Sequence, residues 1–448
     1  MKGTRGKNIF LLAAGLVFYA SGSFHALILL LISAVINWGL GLLAMRERKA
    51  AVFLAVVLNI GLLAAYRYSD LWLPAVTAAG VQLPAAALAM PAGLSFFTFK
   101  GISYVVDVSR RREAGSRSFF EVLFYLSFFP QIMSGPLERF EAFRSQLSMR
   151  ERSAVRTARG LRRFVLGLAK KLILSGEAGL VANAAFSAGD ALDARIAWLG
   201  ALAYCLQLYF DFSGYSDMAV GLGEALGFHS PENFRYPYAA VSISDFWRRW
   251  HMSLSFWFRD YLYIPLGGSR KGKWRTAGNK FIVFALCGVW HGAGLTFLLW
   301  GVWHGLLAAL ESLRVLNVER WRKTAPGRVL SRVYLLLAVC LGFVMFRAES
   351  AKAGFDMLSA MFTGFSFTAE GNLLLRRICG SYTMLMLAAA AVLAMPVLPA
   401  LKKRVETLSP GMRRIAEGCS CLAGLLLLAL CFAALASGGF SPFIYAQF

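Results

Sequence analysis

Long apolar runs divided by short polar clusters set the pattern of this chain from its first residues. Residues 8–21, 24–44 and 50–66 are nearly unbroken hydrocarbon, parted by Ser/Gly and by RERK at 46–49. Each is close to the length, about 20 residues, at which a helix crosses a bilayer. Further apolar runs at 118–130, 164–186, 196–226, 296–311, 330–346, 382–400 and 418–437 predict more helices of the same kind. The region 70–106 departs from this pattern. Pro74, Pro84 and Pro91 cut it into pieces too short to span, which predicts half-helices or a re-entrant segment, then an aromatic-rich helix carrying Lys100 and Asp107. The segment 137–163 is rich in Arg and lacks a long apolar run, so it is expected in water or along the cytoplasmic surface. The reading is an all-α, polytopic integral membrane protein. It treats 1–448 as a single membrane domain of roughly 9–12 transmembrane helices, with re-entrant and interfacial amphipathic helices besides.

Composition supports this picture and narrows the partners. With 58% hydrophobic and only 16% charged residues, the chain is too apolar for a soluble globular domain. Its formal charge of +23 comes from 47 Lys+Arg against 24 Asp+Glu. The cations stand in clusters between apolar runs, at 46–49, 110–112, 270–275 and 402–404. That distribution points to cytoplasmic loops beside anionic lipid, not to nucleic acid. The seven cysteines include Cys205, Cys340 and Cys431 inside apolar segments and form no CxxC pair, so they read as small core residues. Lys2, Arg5 and Lys7 before an apolar run outline a signal peptide, but no small-residue cleavage site follows, and the segment is expected to stay as the first helix.

Candidate chemistry concentrates in 233–305, which holds three of the five histidines. From Ile243, the residues Phe246, Trp247, Trp250, Leu254, Trp257, Phe258 and Tyr261 recur every three or four positions, predicting one amphipathic helix at the membrane interface. Asp245 and Arg249 can pair on it at i,i+4, and His251 and Ser255 share that spacing. Arg270, Lys271 and Arg275 follow a Gly-Gly turn and are candidates for the phosphates of a nucleotide-bearing donor, although no P-loop spacing is present. A positive-inside loop is the plainer reading.

The pentapeptide GVWHG occurs twice, at 288–292 and 301–305. On one straight helix His291 and His304 would stand roughly 20 Å apart on different faces, so no shared metal is expected. The Gly-xxx-Gly spacing in each copy invites close helix approach. A histidine at membrane depth reads equally as a general base or as a satisfied interhelical hydrogen bond. Asp211 and Asp217, in the run 196–226, must pair or face a wet cavity, and structural pairing is the favoured reading over catalysis. Lys170 and Lys171 are expected to snorkel or to line a cavity.

The stretches FFPQIMSGPLERF, YFDFSGYSDMAVGLGEALGF, PENFRYPY, SISDFWRRWHMSLSFWFRDYLYIPLGGSR and GVWHGAGLTFLLWGVWHG, with FRAES and the terminal SPFIYAQF, resemble the membrane-bound O-acyltransferase family. Within it they are most similar to the bacterial polysaccharide branch typified by alginate O-acetylation. The resemblance covers nearly the whole chain and implies transfer of an acyl group from a thioester donor to a hydroxyl. It carries the catalytic histidine to His291 and the functional position of the amphipathic region to His251. His304, Asp211, Asp217, Asn233 and Trp290 are implied as supporting residues. It further implies acetyl-CoA as donor with no permanently bound cofactor, an SGNH-type extracytoplasmic partner transferase or a glycan acceptor, and multi-pass residence in the bacterial cytoplasmic membrane. LGGSR favours this branch over teichoic acid D-alanyl transfer; a transporter or flippase for a glycan precursor is the reading from another class. The chain begins near the branch's second hydrophobic segment, so an upstream helix is either absent or lies before the assigned start.

Overall fold

A computed structural model describes residues 4–81, 89–150, 153–438 and 443–444, and among these the chain is helical without strands. The predicted helix break at Pro84, and most of the terminal SPFIYAQF, lie outside the described residues. The chain divides into two compact units, one comprising Met1–Arg163 with Ala219–Glu232, the other Phe164–Met218 with Asn233–Phe448.

In the first unit, α1 (Thr4–Gly22), α2 (Phe24–Ala44) and α3 (Arg48–Arg67) coincide with the first three apolar runs. Ser23 separates α1 from α2 by accepting the amide N–H of Ala26, an N-cap in extended backbone. α4 (Ser69–Ala78) holds Pro74 in its interior, and α5 (Leu94–Arg110) is buried along most of its length against α2 and α3. The buried amides Asn37 and Asn59 pair reciprocally between α2 and α3 at 3.1 and 2.9 Å, so neither polar group is left unsatisfied in an apolar interface.

Beyond α6 (Phe119–Ser127), the loop toward α7 (Phe140–Ser148) is tied down by polar groups. Lys100 donates to the Gln131 side-chain oxygen at 2.8 Å, and the Gln131 amide donates to Glu138 at 3.0 Å and to Ser230 at 2.9 Å. The charged segment 137–163 is not mere loop. It contains α7 and the start of α8 (Ala154–Ala169), where Arg159 and Arg163 pair with Glu224 and Glu232.

The second unit takes up the chain where α8 continues through a π-helical segment, Lys170–Ser175, into α9 (Gly176–Phe186). α10 (Ala194–Ala225) follows. The single amphipathic helix expected from Ile243 onward is instead two short helices. These are α11 (Ile243–Trp247) and α12 (Met252–Phe258), the latter running into a π turn at Arg259–Tyr263. Next come α13 (Lys273–His291), α14 (Leu295–Leu313), α15 (Val318–Trp321), α16 (Ala325–Arg347) and α17 (Ala351–Thr363). The last four are α18 (Ala369–Ile378), α19 (Ser381–Leu393), α20 (Val397–Glu406) and α21 (Pro410–Ala436). The run 382–400 is thus two helices, broken beside Pro396, whose ring cannot continue the α19 hydrogen-bond ladder.

Five of the described helices, α2, α3, α14, α16 and α21, are both long and apolar enough to cross a membrane. α18 and α19, bent by 70° at their junction, make a sixth if counted as one broken span. The molecule is a multi-pass membrane protein.

Candidate active site

The geometry of the central histidines follows from a break in the chain that periodicity does not announce. α13 ends at His291, the backbone extends through Gly292 and Gly294, and α14 returns antiparallel beside it. The expectation of one straight helix with His291 and His304 far apart is therefore corrected. The two rings are joined through Trp300, whose centroid lies 5.1 Å from that of His291 and 5.3 Å from that of His304, each edge-on. Even so, the described residues contain no group of three His, Cys, Asp or Glu placed to hold a metal.

The glycines of the repeated pentapeptide close this hairpin. A Cβ at Gly288 would lie 2.5 Å from the Phe297 carbonyl oxygen, and one at Gly301 would lie 2.5 Å from that of Phe284. The small-residue spacing thus lets the two copies pack against each other, not against a separate helix.

His291 is 4% exposed and enclosed by rings. Trp290 and Phe346 stand edge-on at 4.6 and 5.0 Å, and Phe297 lies nearly parallel at 6.4 Å. Phe346 comes from α16, at the start of the segment FRAES. His304, fully buried, meets Trp247 of α11 edge-on at 5.3 Å.

His251 occupies a different setting from the exposed face of an interfacial helix. It is 1% exposed, adopts φ 44°, and starts α12 from the left-handed region, where a residue with a Cβ is uncommon. The preceding turn is held to 233–235 by two backbone bonds, Met252 N–H to the Asn233 carbonyl at 2.9 Å and Arg235 N–H to the Arg249 carbonyl at 2.9 Å. The Asn233 side-chain oxygen accepts from the Ser253 amide at 3.2 Å and hydroxyl at 3.0 Å, and faces His251 Nδ1 at 3.1 Å. The Asn233 amide in turn donates to Ser216 at 3.0 Å. An acceptor oxygen opposite Nδ1 selects the tautomer with the proton on Nδ1. Burial pushes the imidazole down to about 3, so it is neutral near pH 7. The expected Asp245–Arg249 pair is present at 3.1 Å, and the Ser255 N–H donates to the His251 carbonyl at 3.0 Å. Trp250, the residue before His251, reaches the His291 rings through Phe343 and Phe346, with centroid steps of 5.3 and 6.5 Å between those three.

Asp211 and Asp217 are paired. Lys171 donates to Asp211 and Lys170 to Asp217, each at 2.6 Å, so these four charges form two ion pairs. Asp211 also accepts the Ile444 amide at 2.9 Å, and Phe443 stacks on Tyr215. Arg270, Lys271 and Arg275 stand exposed before and at the start of α13. Asn279 pins their Gly-Gly turn by donating to the Gly268 carbonyl at 2.9 Å. Glu311 is a residue the sequence reading passed over: from α14 it accepts the amides of Ile243 and Ser244 at 2.7 and 2.9 Å, capping α11. Its signal was a lone carboxylate in the apolar stretch LLAALESL.

The family model described as MBOAT, membrane-bound O-acyltransferase family, matches residues 92–350. The chain is 38% identical to a probable alginate O-acetylase of Pseudomonas aeruginosa over 381 residues, which is 81% of this chain and 71% of that protein. It is 30% identical to a peptidoglycan O-acetyltransferase of Helicobacter pylori, across 79% of this chain and 73% of the relative. A teichoic acid D-alanyltransferase of Bacillus subtilis is 31% identical, over 57% of this chain and 68% of the relative.

Proposed function

The chain belongs to the membrane-bound O-acyltransferase family, and from that premise we propose that it draws acetyl groups from acetyl-CoA for O-acetylation of an extracytoplasmic polysaccharide or cell-wall glycan. The supporting observation is the similarity to O-acetyltransferases along about four-fifths of the chain, against 57% for the D-alanyl relative. The setting is the bacterial cytoplasmic membrane. The acetyl group passes to a secreted or periplasmic SGNH-type transferase with a serine nucleophile, or directly to the glycan.

His291 acts as general base. Its ring nitrogen takes the proton of the acceptor hydroxyl as the oxygen attacks the thioester carbonyl, and the ring enclosure of Trp290, Phe297, Trp300 and Phe346 keeps water from competing. His251, locked as one tautomer by Asn233, positions the substrate alongside it. Arg270, Lys271 and Arg275 meet the donor's phosphates, where exposed cations suit a mobile, highly charged ligand.

The experiment is labelled acetyl-CoA given to membranes containing the full chain. His291→Ala, present at normal level, is expected to lower acetyl transfer by about 10²–10⁴, the usual loss when a general base is removed. Full transfer by that variant removes His291 from the role. Transfer from a D-alanyl carrier with acetyl-CoA ignored moves the assignment to D-alanylation.

A further inference from the structure

Some tryptophans in this protein pair the indole N–H with a backbone carbonyl. Trp303, next to His304 on α14, donates to the Ala338 carbonyl at 2.8 Å, and Trp198 donates to that of Met361 at 2.8 Å. Trp247 and Trp300 differ. Among the described residues their indole nitrogens are buried and meet no hydrogen-bond acceptor. Both ring nitrogens of the fully buried His304 are likewise without a partner there.

These four nitrogens belong to one cluster. Trp247 and Trp300 have centroids 5.6 Å apart, each lies 5.3 Å from His304, and Trp300 lies 5.1 Å from His291. Three separate elements, α11, α13 and α14, deliver the rings. α11 is held in place by the Glu311 cap, and His304 Nε2 fits against Gly342 of α16, where a Cβ would come within 2.7 Å.

Each buried polar group without a partner calls for an explanation, and a catalytic role is one when several stand together beside a reactive group. An indole N–H only donates, and a neutral imidazole carries one donor and one acceptor. The set therefore presents three donors against one acceptor, which suits an oxygen that gains negative charge and has no proton to give.

We propose that the indole N–H groups of Trp247 and Trp300, with one N–H of His304, receive the acyl carbonyl oxygen and hold it as an oxyanion during transfer. This inference rests on the reading of His291 as base. The acceptor oxygen forms a C–O bond to the thioester carbon, the carbonyl π pair moves onto its oxygen, and the hydroxyl proton passes to His291. When the oxyanion collapses, the C–S bond breaks and the imidazolium returns the proton to the departing thiolate. Ester and free thiol are the products. Donors fixed before the reaction in a water-poor site stabilise this charge strongly, because they need no reorganisation.

The test uses the full chain in membrane vesicles with acetyl-CoA, measuring kcat and KM from thiol release and label transfer. Trp247→Phe and Trp300→Phe are each expected to lower kcat by roughly 10²–10³ with KM for acetyl-CoA little changed. Placing 3-benzothienylalanine at position 300, which keeps the ring shape and removes only the N–H, is expected to reproduce the loss. Wild-type kcat with that residue overturns the proposal, as does a loss confined to KM. Should the Phe variants fail to reach the membrane, the isosteric replacement still decides. His291→Ala run in parallel separates the two readings. An inactive His291→Ala beside fully active Trp and His304→Phe variants sinks the oxyanion site alone. A fully active His291→Ala sinks the base.

Discussion

At the scale of single residues, His251 shows how a motif position acquires its properties from a partner far along the chain. Its left-handed backbone is maintained because Asn233, eighteen positions earlier, satisfies Ser253 and orients the imidazole at once. The ring's depressed proton affinity has a consequence for stability. Above pH 6.5, the ordinary value, folded and unfolded chains both carry the neutral ring, and burial exacts nothing. Between 6.5 and about 3 the unfolded ring binds a proton that the folded one refuses, so stability falls as pH drops through that window. The slope approaches about 1.4 kcal/mol per pH unit. Thermal midpoints of the solubilised protein should therefore drop on going from neutral pH to about pH 5, and drop less for His251→Gln. Parallel curves for the two proteins would show that His251 does not carry the effect. The sequence made His251 and His291 conspicuous through their motifs. It could not show that Asn233 fixes the tautomer, because that contact depends on the loop 233–251 folding back on itself. Trp247 and Trp300 were equally hidden, since their spacing fits an ordinary apolar face.

Among the secondary-structure elements, the hairpin of α13 and α14 does the most to build the site, and its glycines explain why. Gly288 and Gly301 bring the two helices close enough for His291, Trp300 and His304 to touch in sequence. Gly301→Ala would set a methyl 2.5 Å from the Phe284 carbonyl oxygen, a backbone atom that cannot rotate away. Separating the helices to relieve this should cost about 1–3 kcal/mol. Lower midpoint and reduced transfer activity are expected together in this variant. Gly278→Ala, on the same α13 but with nothing near its added carbon, should leave both unchanged. If Gly301→Ala behaves like Gly278→Ala, the close approach has no structural weight. The sequence advertised tight packing through Gly-xxx-Gly but not its partner, because three residues between α13 and α14 suffice to reverse the chain. The same limit applies to α11 and α12. The apolar period continues undisturbed from Ile243 to Tyr261, while backbone bonds from 233–235 impose the turn that divides them.

For the molecule as a whole, the pattern of apolar runs located most helices but could not say how the charges inside them are balanced. Helices such as α10 are long yet hold charge, and the charge is balanced by neighbours that composition cannot identify. Lys170 and Lys171 fall in the π-helical segment, and each reaches one carboxylate of α10. The Lys171–Asp211 pair is the more deeply placed, with side chains 7% and 3% exposed. In such surroundings removing one partner strands a charge at a cost of about 3–5 kcal/mol, whereas replacing both with apolar residues is often nearly neutral. Lys171→Met and Asp211→Leu should each lower expression and thermal midpoint sharply, and the double substitution should recover most of the loss. Asp211 has a second duty toward the C-terminal segment, which Lys171 shares through its ammonium 5.5 Å from the centroid of the Phe443 ring. Asp211 accepts the Ile444 amide, and Phe443 packs on Phe212 and Tyr215 beside it. Limited proteolysis should accordingly cut the C-terminal segment faster in the double variant than in the wild type, even where the midpoint has recovered. Asp217→Asn, which disturbs the outer pair with Lys170, should leave that cleavage rate unchanged. Equal cleavage in all three proteins would mean that the terminal segment is held by its aromatic contacts alone, and that Asp211 serves only to neutralise Lys171.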